Sequence, residues 1–540
     1  MKKWVVLNKN RKDIVNVLLE NRGLKTKQER EEFLNPTLPE KLGLKELAID
    51  PKEVKKSILR IKQAKRKKEK VIVYGDYDAD GICATAVLWE ALYSLGVDCL
   101  PYIPGRFDEG YGINAESVKK LQIKDPKIKL IITVDNGIVA DKDIGAINKL
   151  GIDVIIIDHH VKGDCLPKAY SIIHTTRISA TAIAWILARE IKTDTKSGLD
   201  LVAIATIADQ VPLIGANRSF AKFGLESLRQ TPRKGLLALF SEAAIKIEDI
   251  GTYEVGYLIA PRINAMGRIE HAIDSLRLLC TKDRIRAADL ASHMGKINIQ
   301  RQKIVDEVVI HARETLLKTP NKQFIILADA SYHEGVIGLA ASKLVDEFHR
   351  PAIVISKGKD ISKASARSIP GFNIIESIRK LEDLIQAGGG HPMAAGFSLV
   401  TGDIEIFTKR FEEVSAEFLT AEILEKKLKI DLELKFADIN GELVKQVEAF
   451  EPTGMGNPTP VFVTKDVEIV AVKPVGREGK HLKFILKQDS VTFDAIAFGM
   501  GESLPDLKVG KKLNVVYALE ENNWNGNTSL QLKIKDLIVV

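Results

Sequence analysis

Cysteine is scarce in this chain. Cys83, Cys99, Cys165 and Cys280 are the only four in 540 residues, with no C-x-x-C spacing. That excludes a disulfide framework and a zinc knuckle, and leaves Cys83 as a small buried hydrophobe. No apolar run approaches the ~20 residues needed to cross a bilayer, so no membrane partner is expected. The N-terminus, Met1-Lys2-Lys3-Trp4-Val5-Val6-Leu7-Asn8-Lys9, turns polar too soon for a secretory signal, and a cytoplasmic location is expected. Low-complexity tracts and global repeats are missing, as is any Ser or Cys nucleophile set in a catalytic triad. Charge of one sign is also modest, at net +7 over the chain. Residues 51–70 are the exception, with ten Lys/Arg against two Glu, and they include Lys65-Arg66-Lys67-Lys68. Such a run is either a solvated helix face or a guide for a polyanion.

What the chain does have is aspartate at the ends of apolar segments. Val71-Ile72-Val73-Tyr74-Gly75 runs into Asp76-Tyr77-Asp78-Ala79-Asp80-Gly81. Ile131-Ile132-Thr133-Val134 ends at Asp135-Asn136-Gly137, and Val154-Ile155-Ile156-Ile157 at Asp158-His159-His160. A helical stretch, Leu201 to Ala208, ends at Asp209. A single Asp in such a place is commonly a turn former or an N-cap. Four together concentrate like charge at buried ends, and the usual compensation is a divalent cation with hard oxygen ligands. A calcium loop of the EF-hand type is excluded, because position twelve from Asp76 is Val87 rather than Glu. The set reads as a two-metal hydrolytic site.

At 540 residues the chain is too long for one core. Residues 1–50 read as a lysine-rich leader with two helices that packs on the catalytic core. From 51 to 215, helices at 83–95, 115–121 and 140–149 separate strands beginning at 71, 130 and 154, the pattern of a parallel α/β sheet with its site at the strand C-termini. Residues 216–320 are predicted helical, with one long connecting helix over 283–317. A second α/β unit spans 321–424 and contains Gly388-Gly389-Gly390-His391-Pro392. From 425 to 540, short alternating segments at 428–434, 461–464, 467–472, 481–486, 492–498, 512–518 and 529–534 predict a small all-β barrel.

These motifs resemble the DHH phosphoesterases. The likeness rests on Tyr74–Gly81, Thr133–Gly137, Asp158-His159-His160 and Ala208-Asp209, with Gly388–Phe397 similar to the companion DHHA1 domain. Within the superfamily, Arg106–Gly112, Pro261–Arg268, His333–Gly338, Ser365–Ser368 and Pro452–Pro458 resemble the bacterial branch specific for single-stranded DNA. The resemblance runs from about residue 45 to the C-terminus. It implies two α/β domains, DHH and DHHA1, joined by a helical linker, plus a C-terminal OB-fold barrel. It implies a 5′→3′ exonuclease of DNA repair and recombination that releases 5′-mononucleotides with two Mn²⁺ or Mg²⁺ ions. Asp78, Asp80, Asp135, His159 and Asp209 match metal ligands, and Asp76, Asp158 and His160 complete the catalytic set. His160 either assists proton transfer or makes a structural hydrogen bond. Some relatives have a histidine ligand where this chain has Tyr74, and a phenol is a poor ligand, so one metal position is expected to be weaker or water-filled.

Substrate handling is assigned on the same ground. Ser365 and Arg367 match residues that hold a 5′-phosphate, and Gly389, Gly390 and His391 would bring backbone N–H groups and an imidazole to it. Arg106, Arg262 and Arg268 are further phosphate clamps, with Asn264 beside them. Phe107 and Tyr111 either stack on a base or belong to the core. In the barrel, Lys473, Arg477, Lys480, His481 and Lys483 either track a backbone or form a solvated hairpin. The implied partners are single-stranded DNA, a single-strand-binding protein and a RecQ-type helicase, with a monomer expected. The chain ends after the barrel, without a further domain that some relatives carry, and alanines at 364 and 366 replace common glycines. The alternatives are a nano-RNase, a cyclic-dinucleotide phosphodiesterase or a pyrophosphatase of the same superfamily, or a non-catalytic replication scaffold.

Overall fold

The computed structural model describes residues 2–8, 13–191, 197–318, 322–524 and 527–540. The chain divides into two compact units, one of Leu44–Asp209 with Leu225–Lys426, the other of Lys2–Gly43, Gln210–Gly224 and Lys427–Val540.

Strand β1 (Lys3–Asn8) belongs to the second unit. The first unit holds two sheets. In one, β2 (Lys70–Tyr74), β3 (Cys99–Tyr102), β4 (Ile128–Val134), β5 (Asp153–Asp158) and β6 (Ser171–His174) stand in the order β3-β2-β4-β5-β6, all parallel. Val71, Ile72, Val73, Ile131, Ile132 and the whole run Val154–Ile157 are buried. Helices cover both faces of the sheet, which is why these strands are continuously apolar rather than alternating. β3 and β4 lie on opposite sides of β2, so the order reverses between β2 and β4, and a crevice opens there outside the strand C-termini.

The second sheet contains β7 (Ile325–Asp329), β8 (Ala352–Ser356), β9 (Ile361–Arg367), β10 (Ile385–His391) and β11 (Ala394–Val400), in the order β10-β11-β9-β8-β7. Only β7–β8 is parallel. The predicted connecting helix is a single 35-residue helix, Arg284–Lys318. Gly295 does not break it, because a Cβ there would meet Glu242 Oε1 at 1.9 Å: the glycine admits a neighbouring helix. The basic run at 51–70 forms helix Pro51–Lys67. Its Arg60 is buried and paired with Asp153 at 2.6 Å and Glu69 at 2.7 Å. The Lys65–Lys68 cluster closes the helix just before β2 begins, at the end of the sheet away from the strand-end aspartates.

In the second unit, β12 (Lys427–Glu433), β13 (Phe462–Val475), β14 (His481–Gln488), β15 (Val491–Ala497), β16 (Lys512–Trp524) and β17 (Asn527–Val539) build the barrel. Five of them close it in the order β13-β14-β15-β17-β16, with β16 returning to β13. The strands predicted at 461–464 and 467–472 are one strand, β13. A register shift between Thr464 and Val467, with Asp466 at φ +56°, bends it so that it pairs on both edges. The leader departs from expectation: Lys2–Gly43 are built into the barrel unit rather than the catalytic one. β1 pairs in parallel with β12, Trp4 opposite Leu428 and Val6 opposite Ile430. Val17, Leu18, Leu19 and Phe33 share a core with Leu432, Phe450 and Phe462. The physical reason is an apolar strand, Trp4–Leu7, meeting an otherwise open edge of β12. Among the described residues, no helix is long and apolar enough to cross a membrane.

Candidate metal centre and phosphate pocket

Each acidic side chain is delivered by the end of a strand or helix. After β2, Gly75 is required, because a Cβ would lie 2.0 Å from Thr85 Oγ1. Asp78 caps helix Ala79–Ser94, its Oδ1 accepting from Gly81 N at 3.0 Å. Asp80 sits at the start of that helix, and its two oxygens accept from Ala180 N and Thr181 N, each at 2.8 Å, at the start of helix Ala180–Glu190. Asp135 follows β4 at φ +65°. Asp209 is the C-cap of helix Leu199–Ala208.

These groups converge on one point. His159 Nε2 lies 3.2 Å from Asp135 Oδ1, 3.7 Å from Asp209 Oδ2 and 3.8 Å from Asp80 Oδ2. Among the described residues, three sets have ligand atoms within 4.8 Å of one another: Asp135–His159–His160, Asp80–His159–Asp209 and Asp76–Asp78–Asp135. Asp76 Oδ1 and Asp135 Oδ1 are buried without a hydrogen-bond donor. Burial, then the charge of Asp78, pushes the Asp76 carboxyl well above its usual range. Burial and then Asp80 do the same to Asp135. Asp209 is pushed up to about 8, by burial first and then by Asp80 and Asp78. Orphaned oxygens and carboxylates that resist ionisation among themselves are what a divalent cation satisfies, so the residues fit two hard cations. At a hundred times its dissociation constant, Mn²⁺ is expected to add about 2.7 kcal/mol of stability. Thermal unfolding with Mn²⁺ against EDTA measures this, and an unchanged transition would contradict it.

Asp158 has a different place. Its Oδ2 accepts from Ile138 N at 2.9 Å, and its Oδ1 from His159 N at 2.7 Å and His160 N at 3.1 Å. The same Oδ1 lies 2.8 Å from His160 Nδ1. It shapes the loop and orients the His160 ring. Burial would lower the His160 pKa, but the hydrogen bond and charge of Asp158 outweigh it and raise it to about 9. His160 Nε2 faces Tyr111 Oη at 3.3 Å. Tyr74 is fully buried, its hydroxyl donating to Gly112 O at 3.4 Å.

Of the residues assigned to substrate, some gather beside this centre and some are otherwise engaged. Arg106 lies over the Tyr77 ring at 4.9 Å. Exposed Phe107 meets His333 edge-on at 5.7 Å. Arg268 donates to Gly335 O at 3.3 Å, and burial, then the like charge of Arg106, lowers its pKa to about 10. Arg262 is tied to Glu242 at 2.6 Å and to Leu258 O at 2.9 Å. Asn264 Oδ1 accepts from Ala79 N at 2.7 Å and so braces the aspartate-bearing helix.

Ser365 and Arg367 stand on one face of β9. Arg367 donates to Ser342 Oγ at 3.2 Å, Ser365 Oγ at 3.1 Å and Ala366 O at 2.9 Å, all neutral acceptors, and burial lowers its pKa. Gly338 completes the hollow, since a Cβ there would lie 3.0 Å from Ser365 Oγ and 3.1 Å from Arg367 Nη2. Gly389, Gly390 and His391 lie exposed on the edge strand β10. Through β11, the register aligns His391 with Ala394 and Arg367, and Gly389 with Gly396 and Ser365. Thr181 and Ser342 escape a reading by motif. Only the structure brings them to Asp80 and Arg367.

Comparisons with known proteins agree with this geometry. The model for the DHH family, N-terminal domain, matches residues 70–206, the DHHA1 domain 321–417 and the RecJ OB domain 430–536. The single-stranded-DNA-specific exonuclease RecJ of Bacillus subtilis is 37% identical over 91% of this chain, which spans 64% of that relative's length. The Escherichia coli protein of the same name is 30% identical, over 96% of this chain and 95% of its own. The crystal structure of RecJ in complex with Mn²⁺ from Thermus thermophilus superposes with a TM-score of 0.83 at 28% identity, covering 99% of this chain and 79% of that one.

Proposed function

The chain belongs to the RecJ family of DHH phosphoesterases, and on that ground we propose that it is a single-stranded-DNA-specific exonuclease that works 5′→3′ and releases 5′-mononucleotides in DNA repair and recombination. The observation that carries the reading is the convergence of His159 Nε2 on the carboxylates of Asp135, Asp209 and Asp80. Cations held by Asp78, Asp80, Asp135, His159 and Asp209, with Asp76 beside them, would activate water and neutralise charge on the phosphate oxygens. Asp158 holds the His160 ring so that its Nε2 can hydrogen-bond the scissile phosphate or give a proton to the departing 3′-oxygen. Ser365 and Arg367 grip the terminal 5′-phosphate, the guanidinium binding its oxygens in pairs. The bond that reaches the aspartates then lies inward of the 5′ end, which sets the polarity. A single-strand-binding protein and a RecQ-type helicase suit this reading, because each presents single strands. We take the enzyme to act as a monomer.

The test uses a 3′-labelled single strand with a 5′-phosphate and Mn²⁺, beside a blunt duplex and a dinucleotide. Stepwise shortening from the 5′ end with the duplex spared is expected. Turnover of the dinucleotide alone would make the protein a small-substrate phosphodiesterase. Arg367→Ala should reduce the preference for 5′-phosphate over 5′-hydroxyl ends by roughly 10- to 100-fold, the worth of a charge-assisted hydrogen bond. An unchanged preference would remove Arg367 from the pocket.

A further inference from the structure

Residues 254–259 form a π-helical stretch that runs directly into helix Ala260–Ile269. Pro261 accounts for it. Proline has no N–H for the carbonyl four residues back, at Tyr257, and its ring crowds that carbonyl. The ladder shifts, and Ala260 N–H bonds to Val255 O. Arg262 donates to Leu258 O at 2.9 Å, itself anchored on Glu242. π segments of this kind recur at functional sites. This one presents Tyr253 and Tyr257, 61% and 69% exposed. Their rings stack at 5.0 Å with 28° between planes, which leaves the outer faces open.

The same helical rod is fixed to the metal centre at two points. Asn264 Oδ1 accepts from Ala79 N at 2.7 Å, and a Cβ at Gly267 would lie 2.5 Å from Tyr77 O. A Cβ at Gly256 would lie 3.9 Å from Ile207 Cγ2, two residues before Asp209. At ~1.5 Å per residue, Tyr257 and Tyr253 lie roughly 10 and 16 Å along the rod from Asn264.

We propose that Tyr253 and Tyr257 form a stacking platform for unpaired nucleobases of the strand being degraded, an inference that rests on the exonuclease reading above. The occupant follows from the rings and their place. Flat, open aromatic faces match the π-faces of bases, and the platform stands on the same helical rod whose Asn264 braces the aspartate-bearing helix. Stacking of this kind accepts any base sequence. A duplex keeps its bases stacked on each other, so the platform also favours single strands.

The experiment measures binding of a fluorescent single-stranded oligonucleotide in EDTA, with wild type, the Tyr253→Ala/Tyr257→Ala double variant and the Tyr253→Phe/Tyr257→Phe double variant. The alanine variant should raise Kd by about 5- to 150-fold, the worth of one base–aromatic stack. The phenylalanine variant should restore it, and a strand of abasic sites should bind wild type and alanine variant alike. An unchanged Kd in an alanine variant that unfolds at the wild-type temperature overturns the platform and leaves the exonuclease reading standing. Equal weakening of the abasic strand also overturns it, since the effect is then structural. A wild type that neither binds nor degrades single strands overturns both.

Discussion

Asp135→Asn should lower hydrolysis of single-stranded DNA by about a thousandfold or more while single-strand binding persists. Asp135 is the acid common to two of the three ligand sets, and its Oδ1 is both buried and without a donor. Removing its charge takes away a hard anionic ligand at the point where His159, Asp80 and Asp209 also meet. Asparagine is the informative replacement. The residue sits at φ +65°, a conformation asparagine accepts and alanine resists, so the fold is kept while the charge is lost. Steady-state degradation of a labelled strand in Mn²⁺, paired with oligonucleotide affinity in EDTA, reads the two effects apart. Activity within about tenfold of wild type would remove Asp135 from the centre. The Mn²⁺-dependent rise in unfolding temperature should shrink in the same variant.

Arg218→Met is expected to destabilise the second unit by about 3–5 kcal/mol without touching the metal centre. Arg218 is fully buried. Its five N–H groups reach five backbone carbonyls: Phe33 at 2.6 Å, Ala449 and Glu451 at 2.8 Å, Phe450 at 3.0 Å and Pro452 at 3.3 Å. Phe33 also lies beneath the guanidinium at 3.9 Å. Four of those carbonyls follow helix Gly441–Glu448, where the helix leaves acceptors without N–H partners and the dipole favours a cation. Methionine fills the volume but donates nothing, so five carbonyls lose the guanidinium, while Phe450 O and Pro452 O still accept from Asn457 Nδ2 at 2.6 and 3.0 Å. Burial, then the charge of Arg22, lowers the guanidinium pKa to about 10, so Arg218 is still charged at neutral pH. Hydrogen exchange should show the loss first around residues 449–452 and 33. A variant whose exchange and unfolding match wild type would mean that the carbonyls find other donors.

The sequence alone determined the parallel sheet and the chemistry at its edge. Apolar runs such as Ile131–Val134 and Val154–Ile157 are local signals, and an aspartate directly after such a run lies at a strand C-terminus wherever the strand is placed. The long helix and the β-rich end were legible for the same reason, since period and turn residues are read within a few positions. What depended on distant partners was not. β1 pairs with β12, near the far end of the chain, and its four apolar residues, Trp4–Leu7, are too few to announce a strand. Arg218 looks like any surface arginine until five carbonyls surround it. Thr181 reaches Asp80 across 101 positions, and Gly338 matters only because Ser365 and Arg367 approach it. Tertiary structure also divided the arginines, giving Arg262 to Glu242 and Arg367 to neutral hydroxyls and a carbonyl. Local sequence sets where a side chain leaves the backbone. Which charges it meets there is decided by packing between segments far apart in the chain, and that choice separates a structural arginine from one left to bind an anion.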